Sequence, residues 1–94
     1  MDATEGGMAR RLHAKLAAAF QPETLEVIDD SERHRGHAGW REGGETHFRV
    51  RMRAHAFDEM SRIERSRAVH AVLSPELASQ VHALALDLGG GAEP

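Results

Sequence analysis

Cysteine is absent from this chain, and its 94 residues include no tyrosine and a single tryptophan. Without cysteine the chain has no disulfide framework and no thiol chemistry of its own. A metal held through nitrogen or sulfur would therefore have to be held by imidazole, and seven histidines are present. The missing thiols direct attention to those histidines.

Long hydrophobic runs are also missing. No apolar stretch approaches the ~20 residues of a membrane-spanning helix, and residues 1–7 lack the basic start and apolar centre of a signal peptide. Hydrophobic residues make up 40% of the chain and charged residues 29%, which is typical of a globular domain. We therefore expect one small cytoplasmic domain with no membrane segment.

Patterns typical of enzymes are missing too. No serine lies in a nucleophile-elbow setting, and no glycine-rich phosphate loop joins a strand to a helix. The carboxylates are scattered rather than paired near the histidines. We therefore expect a binding protein rather than an enzyme.

Positive charge is concentrated in the middle of the chain. Six of the eleven arginines lie between residues 49 and 67, together with three acidic residues. The rest of the chain holds six basic and twelve acidic side chains, so the net charge of −3 conceals a central segment of +3. Such a segment could face an anion or an acidic partner, although a solvated arginine face would have the same composition.

Hydrophobic spacing predicts six elements in the order α-β-β-α-α-β. An apolar residue at every fourth position predicts a helix over 8–20, and strict alternation predicts a strand over 45–53. Weaker patterns predict a strand at 25–28, a loop over 31–44, helices over 61–73 and from 74, and a strand over 81–88. The sequence therefore predicts an α+β domain over residues 8–88, with helices on one face of a three-stranded sheet and disordered ends at 1–7 and 89–94.

A single histidine interrupts the last apolar run. His82 lies in Val-His-Ala-Leu-Ala-Leu at 81–86, where no other side chain is polar. Two interpretations are open: a histidine at a strand end that is hydrogen-bonded to backbone, or one held ready for a ligand. His34 and His37 lie in the glycine-containing loop, and on composition alone both would be solvent-exposed.

Four stretches taken together resemble the BolA family of small proteins. They are Leu-Glu-Val-Ile-Asp-Asp-Ser at 25–31, Glu-Thr-His-Phe-Arg-Val at 45–50, residues 57–67, and residues 76–86 with their Val-His-Ala-Leu. The resemblance covers roughly residues 8–88. It implies a fold similar to a type-II KH domain, with a helix-turn-helix-like pair in the second half.

The resemblance also implies a metal site and a partner. Members of the family look like partners of monothiol glutaredoxins, with which they share a [2Fe–2S] cluster. Its ligands would be the glutaredoxin cysteine, a glutathione thiol and two BolA side chains. One of the two corresponds to His82. The other lies in the loop between the first two strands and falls on His34, with His37 as the alternative; a chain without cysteine fits the branch of the family with a loop histidine.

DNA-binding regulation is the alternative function that the resemblance implies. The helix after residue 57 carries Arg62, Arg65 and Arg67 near its start, and phosphate contacts there would be salt-sensitive and mostly non-specific. Two features argue against it: the chain is net acidic, and no Gly-x-x-Gly loop for clamping a nucleic-acid backbone lies between the two helices. The same arginines could dock an acidic partner, so the sequence favours the adaptor.

Overall fold

The computed structural model describes residues 7–31 and 46–94. Their elements are α1 (Gly7–Phe20), β1 (Thr24–Asp29), β2 (His47–Ala54), a 3-10 turn (His55–Phe57), α2 (Arg62–Val72), α3 (Ser74–Ser79) and β3 (Ala83–Gly90). The predicted order α-β-β-α-α-β is confirmed. Predictions made for residues 1–6 and 32–45 lie outside the described residues.

The strands form one mixed sheet with β2 at its centre. β1 pairs with β2 antiparallel, with Val27 opposite Val50, and β2 pairs with β3 in parallel, with Val50 opposite Leu86. A parallel pair needs a long crossover, and the segment containing α2 and α3 supplies it. The crossover returns the chain to the start of β2, which brings His82 beside that strand.

The core lies between one face of the sheet and the helices. Leu12 and Leu16 of α1 are fully buried, and alternate residues of β2, namely Phe48, Val50 and Met52, are buried in the same cluster. Burying one such side chain contributes about 1.5–3 kcal/mol. Burial of the apolar side chains whose alternation predicted the central strand therefore contributes a large part of the folding free energy.

The opposite face of β2 carries arginines of the positively charged central segment, and acidic side chains of the neighbouring strands pair with them. Arg53 Nη2 lies 3.0 Å from Asp87 Oδ1, and Arg51 lies 3.8 Å from Asp87 and 3.9 Å from Glu26. The two pairs of Arg51 are exposed on both sides and add little to stability, whereas the Arg53 side chain is only 11% exposed. Together these ion pairs neutralise the open face of the sheet, which leaves it a mixed-charge surface rather than an anion site.

The prediction of a disordered tail from residue 89 is wrong for its first part. β3 continues through Gly89 and Gly90, which pair with Arg53 and Ala54, and both glycines are buried. A β-carbon on Gly90 would come within 2.6 Å of Asp58 Oδ1, so this close approach requires glycine. The glycine run that resembles a linker in the sequence is therefore the end of a strand.

A buried carboxylate joins α3 to α1. Glu76 is 1% exposed, and its Oε1 accepts a hydrogen bond from Lys15 Nζ at 2.7 Å. Arg11 Nε lies 2.7 Å from Oε2, although without hydrogen-bond geometry. Burial alone would raise the pKa of Glu76, but the hydrogen bond and the charges of Lys15 and Arg11 outweigh it and lower the pKa. This ion pair fixes α3, from which the chain enters β3.

Candidate functional site

A buried hydroxyl ties together the residues that flank segment 32–45. Ser31 Oγ accepts hydrogen bonds from the backbone N–H groups of Thr46 (3.0 Å) and His47 (3.1 Å). Asp30 N–H donates to the carbonyl oxygen of His47 at 2.7 Å. Because Ser31 is only 1% exposed, these bonds are shielded from water. Residues 31 and 46, which flank this segment, therefore lie side by side.

The chain before β3 reaches the same point. Thr46 O accepts hydrogen bonds from His82 N–H at 2.7 Å and Ala83 N–H at 3.2 Å. Ser31, Thr46 and His82 belong to three separate stretches of sequence. Two hydrogen bonds join them, one from Thr46 N–H to Ser31 Oγ and one from His82 N–H to Thr46 O.

His82 lies just before β3 rather than within a strand, and it is exposed. Its backbone N–H is hydrogen-bonded, but its imidazole nitrogens make no hydrogen bond within the residues that the structure describes. The ring instead stacks against His47, with centroids 6.3 Å apart and planes 27° apart, a separation typical of aromatic pairs. The imidazole is thus oriented by a ring contact, and no group in residues 7–31 or 46–94 occupies either of its nitrogens.

His47 is the neighbour whose burial the sequence pattern does not indicate. By alternation it lies on the face of β2 that carries Arg49 and Arg51, yet it is only 6% exposed. Its Nδ1 lies 2.8 Å from Oγ1 of the adjacent Thr46. The signal for its position was the parallel register, which sets His47 opposite Ala83 and so beside His82; a hydrophobic pattern does not give that register.

The two candidate loop ligands, His34 and His37, lie outside the described residues. In residues 7–31 and 46–94, no group of three or more His, Cys, Asp or Glu side chains could hold a metal ion. A complete site at His82 would therefore need donors from elsewhere.

A groove lies between α2 and β3, and sequence reasoning did not anticipate it. Its volume is about 810 Å³, which is within the usual range for ligand sites. One wall is the start of α2, where Ile63 is 62% exposed, and the other is the second half of β3. The lining residues are Ser61, Arg62, Ile63, Arg65, Ser66, Leu86, Asp87 and Leu88.

The three candidate binding arginines do not act as one patch. Arg62 and Arg67 are exposed on α2. The side chain of Arg65 is only 14% exposed; its Nε donates to Phe57 O at 3.1 Å, and its Nη1 lies 3.6 Å from Glu93 Oε2. Arg65 therefore links α2 to the 3-10 turn and to the residues after β3 at the end of the groove. Its place in the sequence does not indicate this structural role.

A second histidine cluster lies at the other end of the sheet. His55 Nδ1 is 2.9 Å from Asp58 Oδ2, and its Nε2 is 3.4 Å from Glu23 Oε1. The hydrogen bond and charge of Asp58 raise the pKa of His55, and the hydrogen bond to His55 lowers the pKa of Asp58. Gly91 N–H also donates to Asp58 Oδ1 at 2.9 Å, so the cluster holds the chain just after β3.

Comparison with known protein families identifies the family of this chain. The family profile described as "BolA-like protein" matches residues 16–93, which include His47 and His82. The chain belongs to the BolA family.

BolA relatives align along nearly the whole chain. An uncharacterized Sinorhizobium protein in the cobS 5′ region is 44% identical over 88 residues, covering 93% of this chain and 95% of that protein. The DNA-binding transcriptional regulator BolA of Escherichia coli K12 is 43% identical over 76 residues, covering 81% and 69%. Mouse BolA-like protein 1 is 44% identical, but its alignment covers 89% of this chain and 58% of the mouse protein.

Solved BolA structures share the α+β fold. The BolA domain of SufE1 from Arabidopsis thaliana superposes with a TM-score of 0.85 at 37% identity, covering 95% of this chain and 98% of that one. The solution structure of mouse BolA1 gives a TM-score of 0.79 at 39% identity, covering 98% and 72%. The predicted fold class, a three-stranded sheet with helices, is thereby confirmed. Among the residues described, no helix of this BolA chain is long and apolar enough to cross a membrane.

Proposed function

We propose that this BolA chain is a non-enzymatic adaptor that pairs with a monothiol glutaredoxin and co-ligates a [2Fe–2S] cluster for transfer or iron sensing. His82 is the ligand on the described part of the chain. The second ligand is His34, with His37 as the alternative. The remaining two are a cysteine of the glutaredoxin and the thiol of glutathione.

The exposed imidazole of His82, which no side chain or backbone group of the described residues engages by hydrogen bonding, is the observation that carries the proposal. A buried structural histidine would instead have its ring nitrogens hydrogen-bonded within the protein. The backbone of His82 is fixed by Thr46, and its ring is held against His47. A ligand that is already oriented loses little freedom on binding.

The chemistry of the donors also fits a cluster that passes between proteins. Imidazole is a suitable ligand for iron, and histidine replaces cysteine on one iron of Rieske centres. Imidazole must be neutral to bind metal, so acid competes with iron for it. Two histidines from one chain leave half of the ligands to the partner, and release should become easier as pH falls.

Chain connectivity supports His34 over His37 as the loop ligand. His34 is three residues from Ser31, whose hydroxyl is hydrogen-bonded to the backbone at the start of β2, namely to the N–H groups of Thr46 and His47. Three residues span at most about 11 Å, whereas the six residues to His37 span up to about 21 Å. His34 is therefore tethered more closely than His37 to the point where Ser31 and Thr46 meet beside the backbone of His82.

Reconstitution with the partner tests the proposal. The chain is copurified with a monothiol glutaredoxin, glutathione and iron, and visible circular dichroism is recorded. We expect a spectrum distinct from that of the glutaredoxin homodimer, reverting to the homodimer spectrum with His82→Ala. His13→Ala, an exposed histidine of α1, is the matched control and should leave the spectrum unchanged. A wild-type spectrum identical to the homodimer's would refute the adaptor.

The loop ligand is assigned by comparing two single variants. His34→Ala should shorten the lifetime of the shared cluster by at least about tenfold, since even loss of a group that only orients a metal ligand typically costs that much, and His37→Ala should shorten it far less. The reverse order would move the assignment to His37 without affecting His82.

DNA binding is a second candidate function, favoured by one specific observation. A relative that is 43% identical is named a DNA-binding transcriptional regulator, and Arg62 and Arg67 are exposed on α2 here. Against it, Arg65 is engaged within the chain, and only Leu73 separates α2 from α3, which leaves no room for a Gly-x-x-Gly clamp. Fluorescence anisotropy with duplex DNA at two salt concentrations decides: no binding even at low salt would exclude this function.

A further inference from the structure

β3 is an edge strand of the described sheet, and half of its backbone groups face away from β2. Ala83 N–H donates to Thr46 O, so the amide of Ala83 faces β2. Because successive residues of a strand direct their backbone groups to alternate sides, those of Leu84, Leu86 and Leu88 face outward. This outer edge offers both donors and acceptors.

The chain itself shows what the end of this edge binds. Gly90 belongs to the outward-facing set, and its N–H donates to Glu93 Oε2 at 2.5 Å. Glu93 N–H in turn donates to Gly90 O at 3.1 Å. The same Oε2 lies 3.6 Å from Arg65 Nη1. The last outward position is therefore capped by an acidic residue held by a backbone amide and an arginine.

The groove beside this edge has a matching composition. Leu86 and Leu88 contribute apolar surface, and Ile63 extends it from α2. The exposed Arg62 contributes a positive charge at the rim. The one lining carboxylate, Asp87, is 3.0 Å from Arg53 on the open face of the sheet, so the groove is apolar along its floor and positive at its rim.

We propose that this groove binds an extended acidic segment of a partner protein, which pairs with β3 as a fourth strand. Strand addition to an edge uses main-chain hydrogen bonds for affinity and side-chain pockets for specificity. A nucleic acid suits the groove less well, because its phosphodiester backbone has no donors for the outward carbonyl groups. The proposal is independent of the metal site, since His82 precedes β3 and the groove begins at Leu86, roughly 13 Å further along the strand.

Selection from phage-displayed random decapeptides against the full chain is the first test. We expect enriched peptides that alternate aliphatic and acidic residues, because only alternate side chains of an added strand face the groove. Failure to enrich any such sequence would overturn the proposal.

Charge reversal at the rim tests the electrostatic part. Arg62→Glu should weaken binding of the strongest selected peptide by at least about tenfold, as loss of a charge-assisted contact does. Arg67→Glu makes the same charge change on the same helix outside the groove and should alter affinity less than twofold. His82→Ala should also leave it unchanged. Equal losses for Arg62→Glu and Arg67→Glu would reduce the effect to net charge and overturn the assigned site.

Amide hydrogen exchange tests the strand pairing itself. On peptide binding, the amides of Leu84, Leu86 and Leu88 should exchange at least about tenfold more slowly, whereas those of Ala85 and Asp87, already facing β2, should change little. Protection of neither set would overturn strand addition. Titration with the oligonucleotide dT10 is the competing arm: shifts of groove resonances with dT10 and none with the selected peptide would assign the groove to nucleic acid instead.

Discussion

The two ends of the β2–β3 pair each carry an exposed histidine, and the two are surrounded in opposite ways. His55 follows β2 and lies between two carboxylates, at 2.9 Å from Asp58 and 3.4 Å from Glu23. His82 precedes β3, and its neighbour is a second imidazole, that of His47. In the described part of the chain no carboxylate lies within 4.0 Å of the His82 ring.

This difference in neighbours affects which histidine tends to be protonated and which has ring nitrogens that could bind a ligand. Asp58 raises the pKa of His55 and so favours the protonated ring, which cannot bind a metal. An aromatic neighbour orients His82 without engaging its nitrogens. Both histidines are exposed, so the neighbouring side chains are what distinguishes them.

Removing the hydroxyl beside His82 should have the largest effect. Ser31→Ala leaves the buried N–H groups of Thr46 and His47 without their acceptor, which costs on the order of 1–3 kcal/mol in the free energy of unfolding. Urea denaturation measures it. Ser79→Ala, an exposed hydroxyl bonded within its own helix, is the control and should cost less than about 0.5 kcal/mol. If both variants lost the same unfolding free energy, the hydrogen bonds of Ser31 would stabilise the protein no more than an exposed hydroxyl does.

Removing the ring beside His82 should come next. His47→Ala takes away the stacking partner, and we expect the lifetime of the proposed shared cluster to fall on the order of tenfold, as with other groups that orient a ligand. His47→Phe retains a flat ring and should restore most of the lifetime. If both variants behaved like wild type, the contact between the two rings would have no orienting role.

At the other end, the first test is the titration of His55. Because its pKa is raised, the His55–Asp58 pair contributes stability that is fully present below the unfolded histidine value of about 6.5 and is lost as pH rises through the folded pKa. Because the pKa of Asp58 is lowered, the carboxylate contribution is lost as pH falls through its folded pKa. The NMR titration of His55 should have its midpoint above 6.5 and move down in Asp58→Asn. An unmoved midpoint would remove the contrast with His82.

The smallest effect should come from the second carboxylate. Glu23 lies farther from the ring than Asp58 does, and both side chains of that pair are well exposed, so water screens the interaction. Glu23→Gln should therefore shift the His55 midpoint in the same direction as Asp58→Asn but by less. A larger shift from Glu23→Gln would reverse the assigned order of the two partners.

Local patterns predicted most of the fold, because each was a short-range signal. The alternation around Phe48 and Val50 marked the central strand, and the helix expected from residue 61 begins in the structure with a capping box of Ser61 and Glu64. Gly89 and Gly90 were misread, since what makes them strand residues is their pairing with Arg53 and Ala54, which no local pattern records.

Half of the candidate site could be read from the sequence in the same way. His82 was marked by being the one polar residue in an apolar run. Its stacking on His47 and the engagement of Arg65 by Phe57 and Glu93 depend on which elements pack together. Those are tertiary contacts between residues far apart in the sequence, and local hydrophobic spacing does not predict them.

The parallel pairing of β2 with β3 has a consequence for biosynthesis. His47 and His82 are 35 residues apart in the chain, and they meet only when the strand after α3 has docked. A chain emerges from the ribosome at roughly 5–20 residues per second, so for several seconds a nascent molecule carries the first imidazole without the second. The pair of rings forms only after nearly the whole domain has been made, so incomplete chains lack the contact that orients the His82 imidazole.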